Sequence, residues 1–160
     1  MRRRSGFALW WILSVALLWS GCQTDPPSDA EQTAIRFYKA VWVQGDLQQA
    51  AALLQDPKKA KDLEWRVAET QKTQPSNSAI LITESPMDPH IQPRMKTFLI
   101  HREADKKDYK VDLKHVGGKW RVVSFRQSYS LRRGGYNSFE SYQGLSTEHP
   151  HTHWKKIENP

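Results

Sequence analysis

The chain has 160 residues, 24 basic and 17 acidic side chains, a net charge of +7 and one cysteine. That length suits a single domain, and one cysteine excludes an internal disulfide, so the folded part must stand on its hydrophobic core. The charge is not gathered into a dense basic stripe with interleaved aromatics, which argues against nucleic acid as a partner.

At the start, Arg2, Arg3 and Arg4 precede an uncharged run from Phe7 to Leu18. A basic start, a short apolar centre and small residues after it are the layout of a secretory signal. The run is shorter than the roughly 20 apolar residues that span a bilayer. It closes on Ser20, Gly21 and Cys22.

These three residues resemble the box of the bacterial lipoprotein signal, although Trp19 stands where that family usually has leucine. The resemblance implies a diacylglycerol on the Cys22 thiol and cleavage between Gly21 and Cys22. Residues 1–21 are then the signal, and Cys22 with residues 23–27 forms a lipidated tether. The mature protein keeps 21 basic and 17 acidic residues, a net +4. It is expected on the extracytoplasmic face of a cell membrane, which in a two-membrane cell can be the outer one. Gln23 to Pro27 is polar and proline-bearing, and five residues reach at most about 17 Å.

Ser28-Asp29-Ala30-Glu31 fits a capping box at a helix start. Ala34, Phe37, Tyr38, Val41 and Trp42 then share one helical face. Gly45 ends this helix and Asp46 caps a second, with Leu47, Ala50, Leu53 and Leu54 as its apolar stripe. Pro57 suits the first position of a third helix, expected over 58–71. Leu63 and Val67 face inward in it, with Trp65 as a third candidate.

Beyond a turn at 74–78 the period changes from helical to alternating. A short Ile-rich strand is expected over 79–84, a loop between Pro86 and Pro93, and a strand over 94–103 with apolar residues on both faces. After a turn at 105–108, Tyr109, Val111 and Leu113 alternate with Lys110, Asp112 and Lys114, the pattern of a half-buried strand. Gly117-Gly118 is a hairpin signal. Trp120 and Val122 continue on one face, with Val123 and Phe125 on the other.

Helices followed by an antiparallel sheet of at least four strands define an α+β domain over 28–128. The markers Phe37-Tyr38-Lys39-Ala40, Gly45-Asp46-Leu47 and Val116 to Val123 resemble the cone-shaped fold of nuclear transport factor 2 and ketosteroid isomerase. The resemblance implies helices across a curved sheet and a concave pocket, with Tyr38, Trp42, Tyr109 and Trp120 as candidate lining. Residues 129–160 are polar and poor in apolar residues, and read as a disordered tail.

An isomerase-type site needs a buried carboxylate base and hydrogen-bond donors. No carboxylate stands at the expected inward positions, and His101 and His115 have no carboxylate at a telling spacing. The chain is therefore expected to be a non-catalytic binding or assembly module for a protein partner or a small apolar ligand. A pocket enzyme of hydrolase or isomerase type is the alternative. A further one is metal capture by His149, His151 and His153, which alternate along the tail and can project to one side. No cofactor is expected.

Overall fold

The computed structural model describes residues 28–73, 77–87, 94–128 and 138–160. The signal, Gly21, Cys22 and the tether lie outside these residues, as do 88–93 and 129–137.

Helix α1 runs Asp29–Lys39, and its start is chemically specified. The Ser28 hydroxyl oxygen accepts the Glu31 N–H at 3.2 Å, satisfying one of the free donors of the first turn. Asp29 and Glu31 lie at the positive end of the helix dipole, and Arg36 and Lys39 at the negative end. Ala30, Ala34, Phe37 and Tyr38 are buried. A π-helical turn, Ala40–Gln44, continues the helix. Gly45 ends it with φ +63°; a Cβ there would meet Gln71 Cγ at 2.7 Å.

Asp46 caps α2 (Leu47–Leu53) by accepting the Gln49 N–H at 2.9 Å. Leu54 leaves that helix and bridges to Val122 in the sheet. Pro57–Ala60 is a 3-10 turn leading into α3, Lys61–Thr73. Leu63, Val67 and Thr70 are buried, whereas Trp65 is 49% exposed. An inward Trp65 is thus corrected: two residues beyond Leu63 is about 200° around a helix, on the outer side.

The sheet is antiparallel and open, with strand order β4-β3-β2-β1-β5. The first four strands are β1 (Ile80–Glu84), β2 (Met95–Arg102), β3 (Lys107–Val116) and β4 (Lys119–Gln127). Gly117 and Gly118 take φ +57° and +77° in the β3–β4 hairpin, where side-chain-bearing residues would be strained. Ile80, Ile82, Phe98, Ile100, Tyr109, Val111, Leu113 and Val122 form one core with α1 and α3.

Alternation alone placed Phe125 on the face opposite Val122. Instead, Asp112 pairs with Ser124 while Leu113 pairs with Val122. Val123 is therefore the extra residue of a β-bulge, which resets the alternation. Phe125 pairs with Val111 on the core face and packs on Phe37 at 5.3 Å.

The largest correction concerns the expected disordered tail. Residues 138–160 contain a 3-10 turn (Ser138–Glu140), α4 (Tyr142–Glu148) and β5 (Lys155–Ile157). Strand β5 pairs with β1, Ile80 opposite Ile157. Thr97, Leu99, His101, Asp108 and Lys110 on the second face of the sheet are all buried. Lys110 makes a buried ion pair with Glu140, and Leu145 is fully buried. Few apolar residues suffice here because the preformed sheet supplies the other half of each contact. Burying one leucine contributes about 1.5–3 kcal/mol.

Candidate functional site

The interior aromatics fix the site. Tyr38, Trp42 and Tyr109 face inward from α1, the π turn and β3, with ring centroids 4.7–5.8 Å apart. They fill the space between helix and sheet. Of the four expected lining residues, Trp42 lines the cleft described next, and Tyr38 and Tyr109 are fully buried behind it. Trp120 is at the other end of the sheet, its ring tilted against His115 with centroids 5.1 Å apart.

The cleft has a volume of about 270 Å³. It lies where α3, the π turn, the β2–β3 turn and the end of β4 meet. Trp42 and Gln127 form its back wall, the indole N–H donating to Gln127 Oε1 at 3.0 Å. Arg66 and Thr70 enter from α3, and Ser78 from the approach to β1. Arg102, Asp105 and Lys107 enter from the β2–β3 turn. That turn is closed by Lys106 in the left-handed region, φ +55°.

Arg102 is committed to structure. Its Nε and Nη2 donate to the two Asp105 oxygens at 2.8 and 2.6 Å. Its Nη1 donates to the Trp42 carbonyl at 3.3 Å. Lys107 Nζ is 3.3 Å from Asp105. Burial opposes the charge on Asp105, but the guanidinium and ammonium outweigh it and hold the carboxyl below its usual range. Burial also opposes the charge on Arg102, yet Asp105 and the nearby Tyr109 and Tyr38 raise its pKa further. Desolvation raises the Tyr109 phenol far above its ordinary value, and the Tyr38 phenol as well, against the lowering effect of Arg102.

Arg66 is different. Its guanidinium carbon lies 4.4 Å from the Trp65 ring centroid and 5.5 Å from that of Phe125. Stacking supports the cation, but its Nε and Nη1 are buried with no hydrogen-bond partner among the described residues. The Ser78 hydroxyl in the same cleft is also buried, with no hydrogen-bond partner among the described residues. Buried donors left without acceptors are costly. The arrangement therefore favours a hydrogen-bond acceptor, most strongly an anionic one, beside Arg66 and Ser78.

A second cleft, about 340 Å³, lies at the opposite end between Ser28, Glu31, Ile82, Glu84, Phe98, His153 and Lys155. Its charges are matched: Lys155 is 3.2 Å from Glu31, and Lys96 is 2.7 Å from Glu84.

The sequence reading gave His101 no carboxylate partner. The β2–β3 register places Asp108 directly across from it, and His101 Nδ1 lies 2.8 Å from Asp108 Oδ1. The Tyr142 N–H donates to the same oxygen at 3.1 Å. Its ring stacks on the imidazole at 4.4 Å. This pair is buried beneath α4 and fastens it. His149, His151 and His153 are exposed, and the described residues contain no group of three or more His, Cys, Asp or Glu arranged to hold a metal ion. Among the same residues no helix is long and apolar enough to cross a membrane.

Arg66, Ser78, Arg102 and Asp105 were missing from the sequence-based site. Arg102 was within reach of pattern reading, since strict alternation from Phe98 and Ile100 points it inward. Arg66 carries no such signal. No protein-family model, curated protein or solved structure matches the chain.

Proposed function

We propose that this chain is a lipoprotein, attached through Cys22 to the extracytoplasmic face of a membrane. Its domain is a non-catalytic binding module of the nuclear transport factor 2-like cone class. Support for the anchor is the approach to Cys22 through Ser20 and Gly21 after a basic and apolar start. Support for the cone class is the placement of α1 and α3 on one face of an open antiparallel sheet, with aromatics filling the interior.

The observation that carries the binding reading is Arg66, whose buried Nε and Nη1, like the Ser78 hydroxyl in the same cleft, make no hydrogen bond among the described residues. The occupant is a partner segment or small ligand with an apolar body against Trp42 and an acceptor or anionic group at Arg66. A base poised near neutrality is what acid–base catalysis needs. The cleft's Asp105 is instead held as a carboxylate by Arg102 and Lys107, a structural role that favours binding over turnover.

A photo-crosslinker placed at Glu69 on the cleft's lip tests this in cells producing the full chain. A discrete adduct is expected with wild-type Arg66 and a loss of at least tenfold with Arg66→Gln, which keeps the side chain's bulk and removes its charge. Equal adducts from both proteins, or none from either, overturn the cleft as the binding site.

A further inference from the structure

The end of the sheet opposite the cleft carries a second surface. Its position follows from register. Glu84 pairs with Phe98 and Phe98 with Val111, while Met95 pairs with Lys114. The end of β1, the start of β2 and the β3–β4 hairpin therefore lie at one end of the sheet. Helix α1 starts there too, because Ser28 and Glu31 share the second cleft with Ile82, Glu84 and Phe98. The tether from Cys22 thus enters the domain at this end, and the six residue steps from Cys22 to Ser28 allow at most about 21 Å between them.

The hairpin at that end is basic and apolar by turns. From Leu113 to Val122 the sequence has Lys114, Lys119 and Arg121 and no carboxylate. Lys114 stands directly across from Arg121, a like-charge pair that destabilises a hairpin in isolation. Arg94 is brought alongside by the bond from the His115 N–H to its carbonyl, 2.8 Å. Val116 at the tip is 41% exposed, and Trp120, paired with His115, is half-buried on the other face of the hairpin. The carboxylates Glu84 and Glu31 are neutralised by Lys96 and Lys155. Asp29 belongs to the α1 start, over the β1 side of the sheet.

We propose that this hairpin end is a docking surface for anionic lipid, with the Val116 tip entering the interface and Lys114 and Lys119, on the same face, meeting headgroups; Arg121 beside them donates to the Ala52 carbonyl and holds the hairpin to the end of α2. An apolar tip flanked by lysines suits the boundary between headgroup and acyl chain. Basic residues near an anionic leaflet add to binding within a Debye length of it. The proposal rests on the lipid-anchor reading for the tether's direction. It adds that the domain lies on the membrane in one orientation, holding the Arg66 cleft away from it.

The full-length protein purified from membranes tests both statements separately. Intact mass shows whether Cys22 is acylated; an unmodified Cys22 sinks the anchor reading alone. An environment-sensitive fluorophore is then attached at Val116→Cys or, as a control at the far end, at Glu103→Cys. Each protein is mixed with vesicles of phosphatidylcholine alone or with added phosphatidylglycerol.

The expected result is a blue shift for the Val116 label with phosphatidylglycerol only, lost at 0.5 M salt. The Glu103 label stays water-exposed throughout. Lys114→Gln with Lys119→Gln, both on exposed side chains, raises the anionic-lipid concentration needed for half the shift about fivefold per lysine. A Val116 label as water-exposed as the Glu103 label, or equal insertion into neutral and anionic vesicles, overturns the docking surface; where Cys22 is unacylated the same comparison is made with Cys22→Ser, which confines the label to position 116 or 103.

Discussion

Asp105 shows how a single carboxylate becomes structural. Arg102 grips both of its oxygens and Lys107 approaches from the side. The folded carboxyl therefore titrates below the ordinary value of about 3.9. A carboxyl lowered on folding stabilises the native state fully above its unfolded value, and the contribution is lost as pH falls through the folded one. About a third of the Asp105 side chain remains in water, so solvent screens the effect and it is modest. Asp105→Asn is expected to lower the melting temperature at pH 7, and the gap to wild type should close progressively below about pH 4. Circular dichroism melts at pH 7, 4 and 3 read this directly; a gap that does not narrow contradicts the assignment. Such a pair was partly legible, because Arg102 and Asp105 flank a turn. What alternation could not say is that the turn folds Asp105 back onto the guanidinium.

At the scale of elements, the helices were readable because their signals are local. Ser28, Gly45, Asp46 and Pro57 each act within one turn of themselves, and each does what its chemistry prescribes. The Gly117-Gly118 hairpin was readable for the same reason. The bulge at Val123 and the C-terminal clasp were not, since both are settled by what lies across the sheet.

Helix α4 and β5 are held by Leu145, by Tyr142 on His101, and by Lys110 with Glu140. Leu145→Ala removes the clasp's one fully buried aliphatic side chain, at a cost of about 2–5 kcal/mol. Amide exchange in α4 and β5 is expected to quicken about 30-fold or more. The β2–β3 ladder keeps its protection, because its backbone bonds do not pass through α4. Uniform acceleration across the sheet would mean that the clasp and the domain open as one unit.

For the whole molecule, two ends carry different chemistry. One end has the Arg66 cleft, with buried donors in search of an acceptor. The other has the start of α1 and the basic hairpin. The proposed lipid anchor gives this polarity a direction. Cys22→Ser is expected to abolish incorporation of labelled fatty acid and leave a precursor that keeps Met1. Metabolic labelling with intact mass reads both, and persistent labelling would remove the anchor from the account. Two or three acyl chains make attachment stable where one is marginal.

The sequence by itself determined the starts of α1 and α2, the stop at Gly45, the hairpin, the core-facing positions of α1 and β3, and the expectation of a lipidated Cys22. Each of these depends on residues within a few positions of one another, where capping, backbone freedom and periodicity act. Only the tertiary structure decided that Phe125 turns inward, that His101 and Lys110 have acidic partners, and that 138–160 folds onto the sheet. It also decided that Arg66 and Ser78 share a cleft. Those outcomes depend on groups far apart in the chain, and a buried charge or hydroxyl becomes costly or satisfied only when its distant neighbours are in place.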